Sequence, residues 1–282
     1  MIKNKYLSIL LITGLALTAC SSDDAVVEQK TLEPGKTYYL TVDATKGVNE
    51  AASPAYRRAL TLSGSTLNAS WATSEHVYVQ GTLVSNSSKF WFEGSIQPQT
   101  EGTNTRLNGA ISLPTGWIIT VDDAIGIPHR LNLQFPRSGD LDYTGQKGTL
   151  ADIAANYDYA RAEDVRFDIK NDHIEGVSSA SFVNQQAIVK FTLKDNTGAI
   201  LPNPSALTIA YGSETISLTD IPDATYTTNG NSVLYVAIPG FSGQNVTLTA
   251  TCSSGTYTYT SSSAKTFING KYYEISVKMT KQ

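Results

Sequence analysis

The chain has 282 residues, with 21 Lys and Arg against 25 Asp and Glu and a formal net charge of −4 at pH 7. That balance lacks the basic footprint nucleic-acid binding requires, so nucleic acid is excluded as a partner. Two cysteines cannot build a disulfide framework, and 16% charged residues beside 15 Tyr and 21 Gly is the composition of strands joined by turns.

Lys3 and Lys5 precede an apolar run over 7–17, followed by Leu17-Thr18-Ala19-Cys20. A basic start, a short apolar segment and a small residue read as a secretory signal, 1–19, cleaved ahead of Cys20. The apolar run is too short to span a bilayer. The stretch around Cys20 resembles a lipobox, in which the thiol is acylated, and several acyl chains on one cysteine make a permanent anchor. Residues 20–35 then form a tether whose acidic start, Ser21-Ser22-Asp23-Asp24, reads either as a solvated spacer or as a surface-export signal.

Tyr38, Leu40, Val42 and Ala44 alternate with Tyr39, Thr41 and Asp43, which predicts a first strand with one buried face. Residues 45–58, with Gly47, Asn49, Pro54 and the pair Arg57-Arg58, are expected as an exposed, mobile loop. Further strands are predicted at 59–62, 76–80, 89–93, 118–121 and 130–135. Thr149 can cap a short helix in which Leu150, Ile153, Ala154 and Tyr157 fall at helical spacing, expected to cover a sheet edge. Strands at 186–193, 207–210, 214–218, 233–238, 246–252, 256–260 and 272–279 follow, with a loop at 196–204. Such spacing predicts an all-β fold of two β-sandwich domains, 36–177 and 178–282, divided near Ser178. Cys252 falls on the apolar side of its strand and is expected as a buried thiol.

The sequence carries no catalytic constellation. Gly176-Val177-Ser178-Ser179-Ala180 approaches a nucleophile elbow but leads into a strand-like run at Phe182 instead of a helix. His76, His129 and His173 stand apart without zinc-ligand spacing. Asp140, Asp142 and Thr144-Gly145 copy the first half of a calcium loop, yet the twelfth position is Ala151 where a bidentate glutamate is needed. Asp122-Asp123 and Glu163-Asp164 read as solvated loop acids. No enzyme, metal or cofactor is expected. Trp71, Trp91 and Trp117 could stack on sugar rings if exposed together, but alternation in Lys89-Phe90-Trp91-Phe92-Glu93 buries one face, and core packing is the favoured reading.

Several stretches together are more specific. Arg58-Ala59-Leu60-Thr61-Leu62, Ala69-Ser70-Trp71-Ala72 and Val77-Tyr78-Val79 resemble the opening of Bacteroidota fimbrillins, the subunits of type V pili. Tyr143-Thr144-Gly145-Gln146-Lys147-Gly148-Thr149-Leu150-Ala151-Asp152-Ile153, Asn184-Gln185-Gln186-Ala187-Ile188-Val189-Lys190-Phe191 and Asn269-Gly270-Lys271-Tyr272-Tyr273 are similar to later stretches of that family. The resemblance implies two transthyretin-like sandwiches, export as a lipoprotein of the cell outer membrane, and cleavage after an arginine behind the first strand. Arg58-Ala59 matches that position, with Arg57 as the neighbouring alternative.

Loss of the first strand, Tyr38, Leu40 and Val42 included, would uncover an apolar groove with unpaired backbone groups that another extended segment can repair. Donor and groove are different patches, so subunits would join head to tail into an open filament. The partners implied are other fimbrillin subunits, the outer membrane through the lipid, and a host or bacterial surface ligand. Tyr273, Ile275, Val277 and Met279 alternate with polar residues as a last strand. If that strand completes its own sandwich, the expected place is a tip or accessory subunit. The competing reading is a surface glycan-binding lipoprotein serving nutrient uptake, with Trp and Tyr platforms.

Overall fold

A computed structural model describes residues 32–46, 61–63, 66–82, 87–115, 129–229 and 233–282. Among these the chain is all-β with two short helices, and neither helix is long and apolar enough to cross a membrane. The first part comprises β1 (Thr37–Lys46), β2 (Thr61–Ser63), β3 (Thr66–Asn68), β4 (Tyr78–Thr82), β5 (Lys89–Trp91), β6 (Glu93–Gly94), β7 (Gln97–Pro98), β8 (Asn104–Ser112) and β9 (His129–Phe135). Helix α1 (Leu150–Asn156) precedes β10 (Ala160–Lys170), β11 (His173–Gly176) and β12 (Ala180–Asn184). Then come β13 (Gln186–Lys194), β14 (Ala206–Tyr211), β15 (Glu214–Leu218), α2 (Asp223–Asn229), β16 (Val233–Pro239), β17 (Phe241–Gln244) and β18 (Val246–Cys252). The last strands are β19 (Gly255–Thr260), β20 (Lys265–Phe267), β21 (Tyr272–Lys278) and β22 (Thr280–Lys281).

Two apolar cores organise these strands. The first is lined by Tyr38, Leu40, Val42, Trp71, Leu107, Leu133, Phe167 and Phe182. Its strands form one hydrogen-bonded path, β5-β4-β9-β10-β11-β1-β8-β6, with β12 joined to β1 and β10 and β7 joined to β8. A bridge between Val77 and Ile96 links the two ends of that path, so the sheet wraps around its own apolar face. The second core lies between the sheets β16-β13-β21 and β15-β14-β18-β19-β22, with Phe191, Leu193, Leu234 and Val236 against Leu207, Ile209 and Leu248. Burial alternates along β14 and β18, with one face buried in the second core and the other mostly half-buried.

Helix α1 forms as its spacing predicts. Thr149 Oγ1 accepts a hydrogen bond from Asp152 N, and Ile153 is buried in the second core. The segment before it seals the edge of β16: buried Gln146 donates to Ala237 O at 2.8 Å and accepts from Ala237 N at 2.7 Å, while Gly148 O accepts from Tyr235 N. The side-chain amide thereby replaces the next strand. Gly148 has φ +76°, and a Cβ there would meet Leu234 Cδ2 at 2.7 Å, so the seal needs glycine.

The structure departs from the sequence reading in several places. The first strand does not break at Thr45; it runs to Lys46, which is buried because two carboxylates receive its ammonium. No strand is predicted over 104–112, 160–170 or 173–176, where β8, β10 and β11 lie. In β8, Asn104, Asn108 and Gly109 lower strand propensity. In β10, Glu163, Asp164, Arg166, Asp168 and Lys170 occupy the polar side, and a bulge between Ala162 and Val165 breaks the alternation, with Asp164 at φ +54°. The segment 223–229 is helical where no helix is predicted. Around the expected division near Ser178, Ala180 and Phe182 pack in the first core, whereas Tyr143, Ile153 and Tyr159 pack in the second.

Candidate functional site

Tyr38, Leu40, Val42 and Ala44 alternate along β1, as fixed by the two-residue period of a strand, and all four are buried in the first core. Burying side chains such as Leu40 and Val42 stabilises by about 1.5–3 kcal/mol each. β1 is not an edge strand. On one side it pairs antiparallel with β8 from Thr37 opposite Ser112 to Thr45 opposite Asn104. On the other it pairs in parallel with β11 through Tyr39–Thr41 and with β12 through Ala44–Lys46. Gly176 sits against it so closely that a Cβ would meet Val42 Cγ2 at 2.6 Å. Withdrawal of β1 would therefore leave a slot with backbone donors and acceptors on both walls and an apolar floor.

Lys46 closes the β1 face and lies at a polar end of this slot. Its Nζ is 3.2 and 3.3 Å from the two Glu75 carboxylate oxygens and 3.4 Å from Asp158 Oδ2. The Phe135 ring centroid lies 3.7 Å away and that of Trp71 4.9 Å, so the ammonium also meets two aromatic faces. Trp71 is fixed edge-on between Phe135 and Phe182. The carboxylates are themselves held: Ala72 N donates to Glu75 Oε2 at 3.2 Å, and Gln186 Nε2 donates to Asp158 Oδ1 at 3.2 Å. One ammonium cannot balance two carboxylates. Burial pushes the Glu75 carboxyl above its ordinary value against the lowering effect of Lys46, and the charge of Asp158 adds to the rise. The trio leaves no mark in the sequence, because an alternating pattern does not encode which polar residues converge.

Of the last-strand residues, Val277 and Met279 are buried, while Tyr273 and Ile275 are half-buried. β21 is held by a parallel ladder with β13 from Ile188 opposite Tyr272 to Lys194 opposite Lys278, and β22 crosses to pair with β19. In this structure the C-terminal strand thus packs into the second core, paired with β13 and, through β22, with β19. Cys20, Arg57, Arg58 and Ala59 lie outside the described residues.

The remaining candidates have structural settings. Cys252 is buried, and desolvation pushes its thiol upward. Asp142 Oδ1 accepts from Thr144 N and Oγ1 at 2.9 and 2.7 Å, bonds that close a turn and hold this carboxyl below its usual range. Among the described residues no group of three or more His, Cys, Asp or Glu could hold a metal ion. His76 bonds Ser95 and Gln97 at the surface, and the His173 ring lies 5.7 Å from that of Tyr39, tilted by 33°. Gly176 ends β11 and Ala180 starts β12, so the Ser178 segment joins two strands. Phe90 and Phe92 are buried and Trp91 half-buried, so of the two faces the alternation left open it is the phenylalanine face that enters the core, and Trp91 is not fully packed there. Trp71 is buried, and Trp117 lies outside the described residues. A cleft of about 590 Å³ beside Asp142, Gln185, Glu214 and Asn269 has one aromatic stack near it, Tyr211 on Phe241, but Tyr211 is buried.

No protein-family model and no curated protein matches the chain. Solved structures do. A fimbrial protein from Bacteroides ovatus is 10% identical with a TM-score of 0.36; the match covers 87% of this chain and only 50% of that one, so this chain spans half its length. A second Bacteroides ovatus protein, described as a candidate cell adhesion protein, is 13% identical with a TM-score of 0.39, covering 90% of this chain and 96% of that one. The tip fimbrial protein Mfa3 from Porphyromonas gingivalis, C-terminally truncated, is 8% identical with a TM-score of 0.37, covering 86% and 95%.

Proposed function

We propose that the chain is a fimbrillin-like surface lipoprotein, a pilus component or adhesin that joins its neighbours by strand exchange once its first strand has been cut free. The observation that carries this reading is the position of β1: first of the described strands, apolar on one face, and hydrogen-bonded along both edges inside the first sheet. One cut in the 47–58 connection would separate this strand from everything that encloses it. An interior slot with two unpaired walls is costly to leave empty, which favours capture of another strand. The motif resemblance at Arg58-Ala59 supports the same site, with Arg57 beside it, and implies two transthyretin-like sandwiches. In the proposed architecture each apolar core belongs to one sandwich, 36–177 and 178–282 in outline, with β12 completing the first.

The C-terminal strand Tyr273, Ile275, Val277 and Met279 is housed in its own sandwich, which supports a tip or accessory place over a repeating stalk unit. Acylation at Cys20 would hold the protein on the outer membrane before assembly. Limited digestion followed by size-exclusion chromatography tests the reading. The expected result is a cut, folded chain that associates or takes up an added strand peptide; a stable cut monomer with no affinity for such peptides would overturn it.

A further inference from the structure

Lys46, Glu75 and Asp158 reach one place from three separate parts of the chain: the end of β1, the turn before β4, and the segment between α1 and β10. Their side chains are 1%, 1% and 8% exposed, and each residue is held from behind. Lys46 N donates to Thr103 O, and Ala72 N donates to Glu75 Oε2 at 3.2 Å. Gln186 takes its orientation from Tyr159 N, which donates to its Oε1 at 3.1 Å, so that its Nε2 faces and donates to Asp158 Oδ1. The other oxygen of that carboxylate, Oδ2, lies 3.4 Å from Lys46 Nζ, with the carboxyl carbon one bond beyond it. Bound groups react from separations of about 3–3.5 Å. Trp71 and Phe135 wall the ammonium and keep water out, which favours condensation over hydrolysis. Loss of water between an ammonium and a carboxylate leaves a neutral amide, and two charges disappear from a dry core where each is expensive to hold.

We propose that Lys46 and Asp158 join in an intramolecular amide bond, with Glu75 as the proton relay, once folding has brought the three together. Glu75, whose carboxylate oxygens lie 3.2 and 3.3 Å from Nζ, takes a proton from the ammonium and frees the nitrogen lone pair. The pair attacks Asp158 Cγ while Oδ1, which accepts from Gln186 Nε2, carries the developing negative charge. The bond that forms is Nζ–Cγ and the bond that breaks is Cγ–Oδ2. Two of the three ammonium protons, carried through Glu75, leave with Oδ2 as one water; the third stays on the amide nitrogen. Glu75 ends as it began, and no oxidant, reductant or second substrate enters. Burial, which holds the Glu75 carboxyl above its ordinary value, suits a group that must both accept and return a proton. The bond ties the end of β1 to the segment leading into β10. This inference goes beyond strand exchange and does not rest on it. A bonded copy keeps β1 even when the 47–58 connection is cut, so exchange is open to unbonded copies alone.

The test is the intact mass of the full chain, refolded, incubated and unfolded again in urea. The expected mass is below the sequence mass by one water, and the fraction of chains showing that loss should grow with time after refolding. Trypsin should then yield one branched peptide, 37–57 joined to 148–161, because Lys46 carries the bond and is no longer cut. Asp158→Asn should lose one ammonia in place of one water and give the same branched peptide, since its leaving group is the amide nitrogen. Lys46→Met should keep its full sequence mass. Glu75→Gln should form the bond at least about a hundredfold more slowly. A Glu75→Gln chain that bonds at the native rate would overturn the relay. A native chain that keeps its full sequence mass and yields separate 37–46 and 148–161 peptides would overturn the bond, whatever the variants do. After a cut at Arg57, urea should separate the N-terminal fragment from unbonded chains only. Uptake of an added 37–46 peptide by chains of reduced mass would overturn the claim that the bond holds β1 in place. Failure of unbonded, cut chains to take up that peptide would overturn strand exchange and leave the bond standing.

Discussion

Lys46 Nζ and Glu75 Oε1 lie 3.2 Å apart with both side chains 1% exposed, an ion pair buried in the first core at the end of the first strand. Lys46→Met should destabilise the intact chain by about 3–5 kcal/mol, since it leaves buried carboxylates without their cation. Adding Glu75→Gln should recover part of that loss, with a coupling of about 0.5–3 kcal/mol in a urea double-mutant cycle. The pH dependence has a defined sign. Glu75 is raised in the folded chain above its ordinary 4.5, so its contribution is complete below that value and is lost as pH rises through the higher folded one. Urea midpoints measured upward from pH 4 should show this fall in the native chain and a flatter profile in Glu75→Gln.

Trypsin under native conditions should cut first at Arg57 or Arg58, in the connection that composition predicts to be exposed. Gel analysis should show one early cut and a resistant remainder, and the Arg57→Ala/Arg58→Ala chain should resist it. Early cleavage within β8 or β10 instead would mean that these strands open more easily than the 47–58 connection.

Tyr211, stacked 4.3 Å from Phe241, gives an alkaline prediction. Burial, with a smaller contribution from the Glu214 charge, pushes its hydroxyl from 10.0 up to about 12. The folded value lies above the unfolded one, so this stability is full below pH 10 and is lost as pH rises through about 12. Tyr143, Tyr226 and Tyr272 are raised in the same direction, chiefly by burial. Unfolding free energy should therefore fall steeply across that range. Tyr211→Phe should lose about 2–3 kcal/mol less than the native chain.

Cys20→Ala should abolish labelling by a fatty-acid probe and release the protein from membranes, because the run at 7–17 is too short to serve as an anchor in its place. Fractionation of cells expressing the two forms checks this; retention of the variant in the membrane fraction would contradict it.

Residue alternation alone determined much of this molecule. It gave the buried face of Tyr38, Leu40 and Val42, the buried Cys252 and the extent of β15 and β18, because a strand's two-residue period writes its burial directly into the order of residues. Thr149 likewise announced α1, since a cap is a contact between near neighbours. Where local order breaks the period, the signal fails: β10 carries its bulge and charged face, and β8 its asparagines and glycine. Only the tertiary structure decided that β1 is an interior strand, that Gln146 seals the β16 edge, and that Lys46, Glu75 and Asp158 meet in one buried place. Those contacts join residues far apart in the chain, and their energy comes from desolvation and close geometry, which depend on where strands pack and not on which residues stand next to one another.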